Sequence, residues 1–345
     1  MSVSSDSHKL ITFYTTHLLS KTNGTDSWVA APAFNSATKR FFHDMFQLFK
    51  DAGHYIDRLP IIRDTKPYIL ETSNNLHSVS PATFKLSDFP KKIKEHVCAK
   101  IQTVLTYTLV FMDKQLKVYF LTEQSKPSIS RYETYLVRIL TWIFVAHHFA
   151  PRSCVGNLKI FIYFTNLKKS LPKTALEIIG REHANTAFTY TCPKDPEIAI
   201  FRKEEWFKTF IHETFHTFHL DFSGMRNHLC EDRIKLLFGK IDSDVRLYEA
   251  YTECWARILN AMMVCYFELK QEIKLNDGSR KLTEQFINKS SQYISMEAIH
   301  SVFQMNKVLE HIKLEYRDLC CRTGDRATVF YKEETNILSY YIITP

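Results

Sequence analysis

At 345 residues and 45% hydrophobic content, the chain is long enough to bury one large core or two ordinary ones. Its 14% aromatic and 24% charged residues exclude a disordered, collagenous or low-complexity protein. Only eight glycines are present, and neither GxGxxG nor GxxxxGKS/T occurs, which argues against a nucleotide-binding enzyme. The net charge of +8 is dispersed rather than gathered in one run, so it marks a solvated surface and supplies no case for nucleic-acid binding.

The start, MSVSSDSHKL, lacks the basic and apolar segments of a secretory leader, and no uncharged apolar stretch reaches about 18 residues. A soluble, cytoplasmic protein with no membrane partner is expected. Eight cysteines without CxxC spacing are expected as free thiols.

The polar, Ser- and Thr-rich first 35 residues are expected to be a poorly anchored leader. Ala37 to Asp51 places Phe41, Phe42, Met45, Leu48 and Phe49 at helical spacing. From Leu59 to Pro90, prolines and polar residues interrupt short apolar runs, as in an extended arm or linker. A short helix is expected over Lys91 to Lys100, then a hairpin over 106–122 joined at Asp113, Lys114 and Gln115. Arg131 to Phe149 has the length and pattern of a buried helix that His147 and His148 end. LKIFIYF (158–164), Asn185 to Thr191 and IAIFR (198–202) are expected strands. Beyond Tyr266 everything is expected to be helical, with long candidates at Ser295 to Tyr316 and Glu333 to Ile343.

The segment Glu204 to Leu220 carries Phe207, Phe210, Ile211, Phe215 and Phe218 at helical spacing and is expected to be a buried helix. Within it stands HETFH, residues 212–216. Histidines at i and i+4 share one face with Cβ atoms about 5–6 Å apart, so His212 and His216 can both reach one cation. Glu213 lies about 100° further round, where its carboxylate can meet a water on that cation. The bland alternative is a metal-free helical scaffold with core histidines. A third ligand is required. His219 is about 10.5 Å along the axis from His212, too far for a straight helix to converge all three. Asp221 and His228 follow the helix at spacings that match no three-ligand motif. LYEAYTECWARILNAMM (247–263) is expected to be a second buried helix with Glu249 and Glu253 one turn apart. Buried carboxylates are costly unless paired or metal-bound.

HETFH followed by EAYTE resembles the zincin metallopeptidases of the gluzincin type, in which the second helix carries ExxxD. The resemblance covers about residues 185–260. It implies zinc as the cofactor, Glu249 as third ligand, Glu253 behind a ligand histidine, and Glu213 as the general base of peptide hydrolysis. Glu253 stands where the family has aspartate, and the gap from His216 is longer than is usual there, so Glu249 and Glu253 remain alternatives for the third ligand. RKEEWFKTFIHETFH with EAYTECWA is also similar to predicted metallopeptidases of large DNA viruses. The resemblance further implies an edge strand in HANTAFTYT (183–191) that holds a protein or peptide substrate, with Asn185, Thr186 and Ala187 as contacts. It also implies an oxyanion donor from the C-terminal part, for which Tyr340 and Tyr341 are candidates; core packing is their alternative use.

The expected fold class is α+β and zincin-like. Residues 1–88 form an N-terminal extension or covering arm, 89–220 a sheet-containing subdomain with the HETFH helix, and 221–345 a helical C-terminal subdomain. The rival function is a non-catalytic structural or protein-interaction module on the same fold.

Overall fold

The structure, a computed structural model, describes residues 12, 34–59, 68–69, 89–238, 241, 243–275, 280–320 and 326–345. Most of the expected leader and most of the expected arm from Leu59 to Pro90 lie outside these residues.

The protein is α+β. A mixed six-stranded sheet has the order β1 (Tyr68–Ile69), β2 (Thr103–Phe111), β3 (Lys114–Thr122), β4 (Leu158–Phe164), β6 (Glu197–Ile200), β5 (Ala187–Phe188). β3, β4 and β6 run parallel, with Leu116 opposite Leu158 and Ile160 opposite Ile198. Parallel neighbours need a long crossover, and helix α3 (Ile129–Phe149) supplies it between β3 and β4. Both faces of the sheet are covered, which suits its apolar central strands. Helix α2 (Lys91–Lys100) sets Ile93 and Val97 on one face against Phe161, Tyr163 and Phe201. The other face carries α3 and helix α5 (Trp206–Thr217), with Leu140, Trp142, Phe210 and Phe218 in the main core. Helix α1 (Ser36–Ile56), N-capped by the Asn35 side chain on the Thr38 N–H, adds Phe42, Met45, Phe46 and Phe49 to that same core.

Several boundaries differ from those expected. The hairpin turns at Met112 and Asp113, one residue earlier than predicted, and both have positive φ (50° and 62°). Such a two-residue turn follows the twist of the strands, and the Met112 N–H is held by the Tyr55 hydroxyl at 3.1 Å. Of the predicted strand over 185–191 only Ala187–Phe188 pairs; residues 181–184 are the short helix α4 (Arg181–Ala184). The Thr189 hydroxyl turns instead to the Glu197 carbonyl and to Thr217.

After α6 (His228–Leu237), helix α7 (Leu247–Leu275) runs twelve residues past the predicted end, and α8 (Arg280–His311) begins fifteen before the predicted start. Short helices α9 (Tyr316–Cys320) and α10 (Arg326–Phe330) follow. The helix predicted from Glu333 is only a π-helical turn at Leu338–Ile342, because residues 332–334 form bridge-like backbone bonds with Ile179. No helix among the described residues is long and apolar enough to cross a membrane.

The expectation of free thiols is corrected at one pair. Cys154 and Cys192, 38 residues apart, are joined in a disulfide, while Cys98, Cys230, Cys254 and Cys265 are free thiols. The folded chain brings together two cysteines whose sequence spacing gave no sign of it. Closing a loop of that size stabilises the fold by roughly 4 kcal/mol on a chain-entropy account. Thiol titration in denaturant is therefore expected to find two further reactive groups once reductant is added, together with a lower Tm. An unchanged count would remove the bond.

Candidate metal centre

The site is assembled where α5 crosses α7, next to the outermost strand of the sheet. Helix α5 is buried almost all round. The Thr214 hydroxyl, at its middle, accepts from the Trp142 indole N–H at 2.6 Å and donates to the Ile211 carbonyl. These contacts fix the helix against α3, so the direction of its polar face is set by packing on the opposite side.

That face presents His212 and His216. Three atoms converge: His212 Nε2 and His216 Nε2 are 3.3 Å apart, and Glu249 Oε2 on α7 lies 3.3 Å from the first and 3.4 Å from the second. Donors held about 2.0–2.1 Å from a tetrahedral zinc are separated by about 3.3–3.4 Å, so the triangle has the size of one face of that coordination shell. The far nitrogens are occupied. His212 Nδ1 faces Glu253 Oε2 at 3.2 Å, and His216 Nδ1 makes a short hydrogen bond with Asp221 Oδ2. Carboxylates at Nδ1 keep the ring proton there and turn both Nε2 lone pairs inward. Three lone pairs facing one another in a largely buried site repel unless protons or a cation sit between them, so the donor set fits a divalent ion. This is the one His/Cys/Asp/Glu group of metal-holding geometry among the described residues.

The electrostatics agree. Burial pulls the His216 pKa down, but hydrogen bonds to Asp221 and Glu249 outweigh it and lift it to about 10. His212 is raised in the same way by Glu249 and Glu253 against its burial. Burial opposes ionisation of Glu249, yet the two histidines hold its pKa far below the ordinary carboxylate range. Without an ion, protons supply the missing positive charge; an ion would replace them.

Glu213 is buried beside the triangle, and its carboxylate makes no hydrogen bond or ion pair among the described residues. Burial raises its pKa, with the His212 and His216 charges pulling the other way. A carboxylate with raised pKa is a better proton acceptor near neutrality.

The alternatives of the sequence are separated here. Glu249 stands in the donor triangle and Glu253 behind His212. His219, at φ 52°, and the exposed His228 are not part of the donor group. Asp221, considered from the sequence only as a third ligand, has a role that sequence reasoning missed: it lies behind His216, not in the triangle. Chain reversal after the helix, with the Leu220 N–H on the Phe215 carbonyl at 2.7 Å, returns Asp221 to the histidine five residues earlier. Asp221 Oδ1 also accepts the Ser223 N–H at 3.0 Å, an Asx turn legible in the local sequence Asp-Phe-Ser.

The two tyrosines part company as well. The Tyr340 hydroxyl donates to Glu249 Oε2 at 3.1 Å and accepts from Asn336 Nδ2 at 3.3 Å. Burial pushes its pKa well above the phenolic value, so it stays a donor. Tyr341 lines a neighbouring cavity of about 270 Å³, to which His212, Glu213 and Tyr340 also contribute.

A cleft of about 930 Å³ opens over His212, Glu213, His216 and Glu249 and is walled by β5 and Asn336. Thr186 and Phe201 form a backbone-bonded pair at 2.9 Å, so the ladder alternation turns the Ala187 N–H and C=O outward from the sheet edge. Asn185 lines the cleft too, but its side-chain oxygen is taken by the Thr335 hydroxyl at 2.6 Å. Thr186 is buried, and its hydroxyl has no hydrogen-bond partner among the described residues. Compared with protein-family models, with curated proteins and with solved structures, the chain matches none of them.

Proposed function

We propose that this protein is a zinc-dependent metallopeptidase of the gluzincin type that hydrolyses peptide bonds in a protein or peptide substrate. The observation that carries this reading is the triangle of His212, His216 and Glu249 donor atoms with an unpaired Glu213 carboxylate beside it. Bound there, the ion would supply an acidified water and polarisation of the scissile carbonyl.

The chain's own residues would do the rest. The outward N–H and C=O of Ala187 hold an extended peptide by backbone hydrogen bonds along the cleft. Glu213 takes the proton of the attacking water at its carboxylate and returns it to the leaving amine. The Tyr340 phenol donates to the oxygen that gains negative charge. The zincin-like fold and a cytoplasmic location belong to the same proposal.

Purified protein is expected to contain about one zinc per chain, to lose both zinc and hydrolysis of a mixed peptide library on chelation, and to regain both with added zinc. Zinc uptake without hydrolysis would sink the peptidase and leave the metal centre. Failure to take up zinc would sink both and favour the non-catalytic interaction module.

A further inference from the structure

Arg257 stands on α7 one helical turn beyond Glu253, so both side chains leave the same face. Its Nε donates to Glu253 Oε1 at 3.1 Å, and its Nη2 donates to the Tyr340 carbonyl at 3.0 Å. Glu253 Oε2 faces His212, whose Nε2 faces Glu249, which accepts from the Tyr340 hydroxyl. The contacts therefore close a ring: Arg257, Glu253, His212, Glu249, Tyr340 and back to Arg257. From α5, Lys208 Nζ reaches the same Glu253 oxygen at 2.6 Å.

Stability alone does not explain an arginine here. Its Nη1 is buried without a hydrogen-bond partner among the described residues, and an orphaned buried donor destabilises a fold. What the guanidinium offers is a rigid fork that meets a carboxylate and a carbonyl at a set angle, which a lysine ammonium does not reproduce. We propose that Arg257 is a positioning residue that holds the His212 imidazole and the Tyr340 hydroxyl in one arrangement, acting through Glu253 and the Tyr340 backbone. Lys208 secures the carboxylate from the other helix. Removing the fork frees the turn at Leu338–Ile342, and with it the hydrogen bond from Tyr340 to Glu249.

The assignment of an effect on kcat rests on the peptidase reading; the arrangement itself does not. The test is a double-mutant cycle in the full chain, with Arg257→Lys and Arg257→Met each made alone and with Tyr340→Phe. Cobalt-loaded protein is read by its visible absorption, and zinc-loaded protein by kcat and KM. Arg257→Met is expected to lower kcat about tenfold with little change in KM, Arg257→Lys to recover little of it, and both to cost far less once Tyr340 is phenylalanine. The cobalt spectrum is expected to shift in Arg257→Lys and in Tyr340→Phe, and the shifts are not expected to add. Equal losses in both backgrounds, or a spectrum that moves with Tyr340→Phe and not with Arg257→Lys, would overturn the proposal. If no peptide is cleaved, the peptidase reading fails and the spectral arms still decide for or against Arg257.

Discussion

Glu213→Gln is expected to keep the ion and to cleave peptides about 10²–10⁴-fold more slowly, the usual contribution of a positioned general base. The amide matches the carboxylate in size and cannot accept a proton. The Glu213 carboxylate makes no hydrogen bond or ion pair among the described residues, so the substitution breaks no contact that holds His212 or His216. The pH profile offers a second reading of the same group. Burial places the Glu213 pKa above that of an ordinary glutamate. The native rate should therefore fall as pH drops through that raised value, because the protonated acid no longer accepts. In Glu213→Gln that acid limb should vanish. A variant within tenfold of native, with an unchanged acid limb, would show that another group is the base.

The second large effect separates the two glutamates of α7. Glu249→Gln removes the anionic donor of the triangle and is expected to weaken zinc binding most. Glu253→Gln and Asp221→Asn each leave three donors in place and loosen one histidine, which is expected to cost roughly 10–100-fold in affinity. Competition against a fluorescent chelator measures all three on one scale. The reverse order, with Glu253→Gln the worst, would make Glu253 the ligand and Glu249 its support. Glu249→Gln should also lower the apparent stability gained from added zinc, since an ion that binds only the folded state stabilises in proportion to its affinity.

Much of this site is written in short-range sequence. HETFH lies on a helix because apolar residues recur around it at helical spacing, and the same period puts His212 and His216 on one side. Glu249 and Glu253 stood out because acids on an apolar helix need a partner. Which of them faces the ion depends on how α7 is rotated against α5, and no local pattern encodes that rotation. The strand over 185–191 shrank to two residues for a similar reason: β-propensity is met there, but Thr189 finds better partners in Glu197 and Thr217 than in a ladder. The long C-terminal helices were predicted in kind and misjudged in length. Asn276, Asp277 and Gly278 are turn-forming residue types between the described ends of α7 and α8, a boundary signal that the apolar period alone passed over.

By itself, then, the sequence determined the helical spacing of the two histidines, the glutamate between them and the apolar strands behind them, all features whose partners lie within one or two turns or a single strand. Only the tertiary structure decided that Glu249 completes the donor triangle, that Asp221 supports His216, that the Tyr340 hydroxyl bonds Glu249, that Arg257 contacts both Glu253 and Tyr340 and that Cys154 meets Cys192. Each of these joins segments that are distant in sequence or lie beyond a chain reversal. Their meeting is set by side-chain packing over the whole core, and pairings of that kind leave no periodic trace in the chain.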